Sequence, residues 1–181
     1  VQGDVTVTGD RFSVVLEKAD GDGQVVDAAG LYMIPGLVDI HFHGCKGADM
    51  CDGTQEALDI ITAYEAGVGV TSVCPATMTI PKDELLAVMK NAGAYSYKGG
   101  AHLVGINMEG PFISPVKKGA QDEKNIIPCN VEIAKRFLTA SEGLVKFIGI
   151  APEESEQSEE FIEKMKDSVD ISLAHTNADY D

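Results

Sequence analysis

The feature that most constrains the fold of this chain is a regular alternation of apolar, strand-like segments with helical segments, which begins after Pro35. Strands that are apolar throughout are typical of parallel sheets buried on both faces. Strands that alternate with helices predict an α/β fold. The strands are predicted at 37–41, 70–74, 103–108, 146–150 and 169–174, and the helices at 54–66, 81–95, 130–140 and 155–167.

The segment before Pro35 has a different pattern. It holds two short β-branched runs, at 5–8 and 12–16, and a turn rich in Gly and Asp at 19–23. This pattern predicts a small antiparallel β-unit. We therefore expect two domains, a portion of a small β-sandwich at residues 1–33 and an α/β region at residues 34–181.

Charge and cysteine usage exclude several classes of protein. The formal net charge is -15, which disfavours binding to nucleic acids or anionic membranes because both require a basic surface. The four cysteines have no CxxC spacing, so we expect reduced, buried thiols, with Cys74 inert. No apolar run is long enough to cross a bilayer. These features predict a cytoplasmic protein that binds neither nucleic acid nor membrane.

Polar residues able to bind metals recur where predicted strands end. His41 and His43 follow the first strand, Glu109 the third and His175 the fifth. A (β/α)8 barrel collects its active site from the carboxyl ends of several strands, whereas an open doubly wound sheet binds at one switch point. We therefore predict a partial (β/α)8 TIM-type barrel of about five βα units, with a doubly wound sheet as the alternative.

Two of these residues have the spacing of a metal site. Side chains at i and i+2 of an extended strand point to the same side, so His41 and His43 can present two imidazoles to one point. Imidazole and carboxylate suit divalent first-row metals, and a metal that activates water and polarises a carbonyl can hydrolyse an amide. The alternatives are a loop-capping role for Glu109 and a core role for His175. His102 opens a strand, so we expect it to be structural.

Four segments carry a resemblance to a known family: 34–44 (IPGLVDIHFHG), 107–112 (NMEGPF), 116–120 (VKKGA) and 173–178 (LAHTNA). Together they resemble the N-acetylglucosamine-6-phosphate deacetylase family of the amidohydrolase superfamily. The histidine pair is shared by many amidohydrolases. The Glu-Gly-Pro-Phe segment followed by Lys-Lys-Gly-Ala is more specific.

The resemblance implies roles for individual residues. Glu109 matches the family's metal-binding glutamate, and His175 the first of two histidines that bind with it. His41 and His43 match a pair that holds a second ion in some members, so we expect one or two divalent ions, zinc or iron. Ala120 and Gln121 fall where the family contacts its substrate, although the family commonly has histidine at the position of Gln121.

The resemblance also implies an activity. It is the metal-dependent deacetylation of N-acetylglucosamine 6-phosphate, a small sugar phosphate, to glucosamine 6-phosphate and acetate. We expect residues 34–181 to be the N-terminal part of the hydrolase barrel, and the full-length enzyme to be a homo-oligomer. The family's second histidine and its general-base aspartate are expected beyond Asp181, so no catalytic residue is assigned here and this segment alone is expected to be inactive. The alternatives are an amidohydrolase for a cyclic amide and a non-catalytic metal-binding or assembly fragment.

Overall fold

A computed structural model describes residues 3–16, 18 and 23–179 of the 181-residue chain. The chain forms two compact units, Val1–Ile34 and Pro35–Asp181. In the first unit, strand β1 (Asp4–Thr8) pairs antiparallel with strand β2 (Arg11–Leu16), as the β-branched runs predict. The predicted turn at 19–23 lies outside the described residues except for Gly23.

The second unit contains the predicted alternation of strands and helices. Its helices are α1 (Gln55–Gly67), α2 (Lys82–Gly93), α3 (Val131–Ala140) and α4 (Ser158–Met165). Each lies within a few residues of a predicted helix, and α4 starts later than predicted because Ser155 has an extended backbone (φ -149, ψ 125). Its strands are β3 (Leu37–Asp39), β4 (Gly44–Cys45), β5 (Ala48–Asp49), β6 (Val70–Val73), β7 (Ala76–Thr77), β8 (His102–Leu103), β9 (Ile106–Phe112), β10 (Val145–Ile150) and β11 (Asp170–Leu173).

Helices α1 and α3 begin where a side chain satisfies a free backbone N–H group. Thr54 caps α1 by accepting a hydrogen bond from the Ala57 N–H, and Asn130 caps α3 in the same way from Ile133. No side chain caps α2, but two acidic residues in its first turn stabilise it by interacting with the positive end of the helix dipole. These local signals are why the helix starts are predicted well.

The main strands are parallel and follow one another in chain order. Strand β6 pairs with β3 and β8, and β9 pairs with β7 and β10, which in turn pairs with β11. Two residues separate β6 from β7, and two separate β8 from β9, so five passes of the chain lie side by side. The carboxyl ends of all five passes therefore lie at one side of the unit.

The third predicted strand, 103–108, is interrupted in the structure. It is divided at Val104 and Gly105 into β8 and β9. Strand β9 continues to Phe112, so Glu109 lies within the strand, whereas the sequence predicts that it follows the strand. A Cβ at Gly105 would lie 2.9 Å from Cys74 Sγ, so the chain passes closer to its neighbour there than a side chain allows. A short hairpin of β4 and β5, which the sequence does not predict, also follows the two histidines.

The core lies between the sheet and helices α2, α3 and α4, with Phe112, Phe137 and Phe161 among its fully buried side chains. The two outer strands differ from the prediction of burial on both faces. Val38 in β3 is 60% exposed and Leu173 in β11 is 68% exposed. Within the described residues, none of the helices has the length and apolar character needed to cross a membrane.

Candidate metal centre

The backbone on the carboxyl side of Glu109 has a conformation that only glycine fits. Gly110 has φ +91, and a Cβ there would collide with Thr79 Oγ1. The same Thr79 hydroxyl donates a hydrogen bond of 3.0 Å to the Glu109 carbonyl oxygen. The Glu-Gly-Pro segment therefore fixes the backbone that carries the Glu109 side chain, which is 8% exposed.

Histidines from two other passes of the chain surround the Glu109 carboxylate. Oε2 lies 3.0 Å from His41 Nε2 and 3.1 Å from His43 Nε2. Oε1 lies 2.5 Å from His175 Nε2. The structure thus brings the four predicted metal ligands together, with the histidine pair on one oxygen and His175 on the other.

Backbone carbonyl groups orient two of the three rings. Nδ1 of His43 donates to the Ala76 carbonyl oxygen over 3.3 Å, and Nδ1 of His175 donates to that of Lys117 over 2.8 Å. A carbonyl oxygen can only accept, so Nδ1 carries the hydrogen in both rings. Nε2 is therefore the atom that each ring presents to Glu109, which is the arrangement that metal-binding histidines use.

The segment that carries His175 is held by hydrogen bonds with Ser114 and Glu153. His175 has φ +48, a left-handed backbone conformation, and its carbonyl oxygen accepts a 3.0 Å hydrogen bond from the Ser114 N–H. The Glu153 carboxylate accepts hydrogen bonds from the Thr176 hydroxyl and the Asn177 N–H, over 2.7 and 2.5 Å. These contacts fix the turn that directs the imidazole toward Glu109.

The cluster favours a charged carboxylate. Burial raises the pKa of Glu109, but hydrogen bonds from His175 and Gln121 and the nearby His43 lower it, and the net pKa lies below its usual value. Burial lowers the pKa of His175, but its bonds to the Lys117 carbonyl and Glu109 carboxylate raise it, and the net pKa lies above its usual value. A negative oxygen pair is thus available at the centre of the three rings.

The donor set fits a divalent first-row metal ion. The ligand atoms of His41, His43 and Glu109 all lie within 4.8 Å of one another. Glu109 Oε2 is buried, yet it accepts no properly aligned hydrogen bond from the described residues despite the two close imidazole nitrogens. A buried carboxylate oxygen without a hydrogen bond is costly unless a cation binds it. Nitrogen and oxygen ligands of this kind suit zinc and iron.

The two predicted substrate contacts have different surroundings. Gln121 is 2% exposed, its Nε2 donates to Glu109 Oε1 over 2.8 Å, and its Oε1 accepts from the Thr79 N–H over 2.6 Å. Ala120 is exposed. Sequence reasoning missed the contact between Gln121 and Glu109. The one signal that pointed to it was a glutamine where the family commonly has histidine.

Two residues considered from the sequence lie outside the cluster. His102 starts β8, and its ring stacks on Tyr97 with centroids 4.2 Å apart. Cys74 is buried, and burial raises its pKa to about 11. A thiol with that pKa is protonated at neutral pH and a poor nucleophile, as the sequence predicts for Cys74.

In this parallel α/β unit three histidines that follow strand ends converge on Glu109, which lies within β9, and this arrangement is typical of metal-dependent hydrolases. The chain belongs to the amidohydrolase family, which it matches over residues 32–181. Among proteins of known function, it is similar to the N-acetylglucosamine-6-phosphate deacetylase of Bacillus subtilis (strain 168). The two are 39% identical over 153 residues, which cover 81% of this chain and 38% of that protein.

The chain is also similar to solved structures of deacetylases. The crystal structure of N-acetyl-D-glucosamine-6-phosphate deacetylase from Mycobacterium smegmatis matches with a TM-score of 0.83 and 25% identity, covering 96% of this chain and 46% of that one. A mutant of the same enzyme in complex with N-acetyl-D-glucosamine-6-phosphate matches with a TM-score of 0.81 and 26% identity, covering 94% and 44%. The chain thus spans less than half the length of these relatives.

Proposed function

We propose that the protein containing this chain hydrolyses the acetamide of N-acetylglucosamine 6-phosphate to give glucosamine 6-phosphate and acetate. The observation that carries the proposal is the Glu109 carboxylate with histidines at both oxygens. The similarity to deacetylases supports the choice of substrate, because one of the matching structures holds this sugar phosphate.

The fold supports a finer proposal for the architecture. We infer that residues 34–181 form about five βα units of a (β/α)8 barrel, and that residues 1–33 are a portion of a small β-sandwich. Parallel strands in chain order are what the first units of such a barrel require. The exposed apolar side chains on the two outer strands are typical of strands that pair further in a complete barrel.

The proposed metal ligands divide into two sets. His41 and His43 would bind one divalent ion together with Glu109 Oε2. His175 would bind an ion together with Glu109 Oε1. An ion at this position, zinc or iron, supplies activation of water and polarisation of the amide carbonyl. The chain's own contribution is to hold the carboxylate charged and the rings oriented, through the backbone of Thr79, Ala76 and Lys117.

The experiment is acetate release from N-acetylglucosamine 6-phosphate by the full-length protein, measured for the unchanged protein and for Glu109→Gln. Glu156→Gln, on an exposed loop, is the matched control. We expect acetate release with the unchanged protein and the control, and its loss in Glu109→Gln. Ring opening of dihydroorotate or hydantoin without acetate release would overturn the proposal in favour of a cyclic amide hydrolase.

A further inference from the structure

The three histidines around Glu109 do not have equivalent partners at Nδ1. His43 and His175 face carbonyl oxygens, which accept. Nδ1 of His41 instead lies 3.2 Å from the side-chain Nδ2 of Asn107. The partner of His41 therefore has to be identified as a donor or an acceptor before the ring's hydrogen can be placed.

A second contact of Asn107 identifies its amide nitrogen. The same Nδ2 lies 2.9 Å from the carbonyl oxygen of Ile40. Because that oxygen can only accept, the atom between Ile40 and His41 is the amide nitrogen, which has two hydrogens to donate. One hydrogen serves Ile40 and the other serves His41 Nδ1. The neutral His41 ring then carries its own hydrogen on Nε2, the opposite of His43.

This placement affects metal binding directly. A metal ion binds the lone pair of an imidazole nitrogen, so the bound nitrogen carries no hydrogen. His43 presents a free lone pair at Nε2, whereas His41 presents a hydrogen at the nitrogen that faces Glu109 Oε2. The two halves of the histidine pair are therefore unequally prepared for an ion.

We propose that Asn107 is a positioning residue that sets the tautomer of His41 and thereby weakens binding of the ion held by the histidine pair. To bind through Nε2, His41 must move its hydrogen to Nδ1, and the Asn107 amide must turn so that Oδ1 accepts it. That turn gives up the hydrogen bond to Ile40. The inference rests on the proposed metal centre. It adds a residue that controls metal affinity and that the similarity to deacetylases does not identify.

The first test reads the tautomer in the metal-free, full-length protein. Histidine labelled with ¹⁵N in the ring distinguishes a hydrogen on Nδ1 from one on Nε2, and single replacements assign His41 and His43. We expect the hydrogen on Nε2 in His41 and on Nδ1 in His43. In Asn107→Asp, whose carboxylate only accepts, we expect His41 to carry it on Nδ1. A hydrogen on Nδ1 of His41 in the unchanged protein would overturn the proposal.

The second test measures affinity at this side of the centre. Zinc is titrated while the His41 and His43 resonances are followed, so the ion is assigned to its ligands. We expect Asn107→Asp to bind zinc about tenfold more tightly, which is the lower end of the effects seen for residues that hydrogen-bond to metal ligands. Asn125→Asp is the matched control, because it adds the same charge but its amide donates to the Thr79 carbonyl oxygen. Equal tightening in both variants would overturn the proposal. Neither test uses acetate release, so failure of the proposed activity would be seen separately.

Discussion

The imidazole of His175 donates from Nδ1 to the carbonyl oxygen of Lys117, 2.8 Å away, across 58 residues of sequence. This bond joins the loop after β9 to the end of β11, and it leaves Nε2 facing Glu109. Lys117 belongs to the segment 116–120, one of the four that carry the family resemblance. In the structure, the backbone of this segment orients the His175 ring.

Replacement of Gln121 by methionine tests how its hydrogen bonds to Glu109 and Thr79 hold the Glu109 carboxylate. Methionine keeps the length of the side chain but removes both hydrogen bonds, leaving the Thr79 N–H without its buried partner. We expect the free energy of unfolding to fall by about 1–3 kcal/mol and zinc affinity to fall about 10- to 100-fold. Urea unfolding and zinc titration measure the two effects. Unchanged affinity would show that Glu109 does not depend on Gln121 for its orientation.

Replacement of Gly110 by alanine tests the left-handed backbone conformation after Glu109. The new Cβ meets Thr79 Oγ1 in a left-handed backbone, so we expect a loss of more than about 1 kcal/mol in unfolding free energy. Gly99→Ala is the matched control, since Gly99 also has φ +91 but has open space around the position of a Cβ. The difference between the two variants measures the collision alone. Equal losses would contradict this account of the Glu-Gly-Pro segment.

Protonation of Glu153 should release the His175 turn at low pH. Burial raises the pKa of Glu153, but hydrogen bonds from the Asn177 N–H and the Thr176 hydroxyl lower it, and the net pKa lies below the ordinary value of 4.5. The carboxylate therefore contributes stability above the unfolded pKa, and this contribution is lost as pH falls through the folded pKa. We expect Glu153→Gln to be less stable than the unchanged protein at neutral pH.

The comparison is made by urea unfolding across the acidic range, with Glu156→Gln as the control. The stability difference between Glu153→Gln and the unchanged protein should shrink as pH falls, whereas the control should show little difference throughout. A difference that does not change with pH would assign the effect to packing rather than to the charge of Glu153.

Three cysteines should react slowly in the native chain. Burial raises the pKa values of Cys51, Cys74 and Cys129 to about 11, against an ordinary value of 9.0. At neutral pH the thiolate fraction is then about 100-fold lower than for a free cysteine. Alkylation by iodoacetamide, followed by mass spectrometry, should be slow in the native protein and fast after unfolding. Rapid native labelling of Cys74 would contradict its burial.

The parts of the site that follow from local rules could be predicted from the sequence. Alternation along an extended chain places His41 and His43 on one side, and their Nε2 atoms do converge on one oxygen although β3 ends at Asp39. The order of strands and helices also places Glu109 and His175 toward the same end of the sheet, where the carboxyl ends of the parallel strands lie. These predictions depend only on residue spacing and strand direction.

The remaining contacts depend on which atoms meet across long stretches of sequence. Gln121 reaches both Thr79 and Glu109, and Asn107 reaches His41 from another strand. No periodicity in the sequence encodes such pairs. The sequence does not predict the interruption of the third strand for the same reason. At the interruption, the Gly105 backbone lies close to the Cys74 side chain, which is distant in the sequence.

Because Glu109 serves different histidines with its two oxygens, the two sides of the centre can evolve separately. Loss of His41 and His43 would remove the partners of Oε2 while leaving His175, its carbonyl partner and Oε1 in place. Substitutions in a single short segment could therefore abolish the proposed ion site of the histidine pair and leave the other side of the centre in place. Loss of Glu109 offers no such route, because both sides would lose their shared ligand at once.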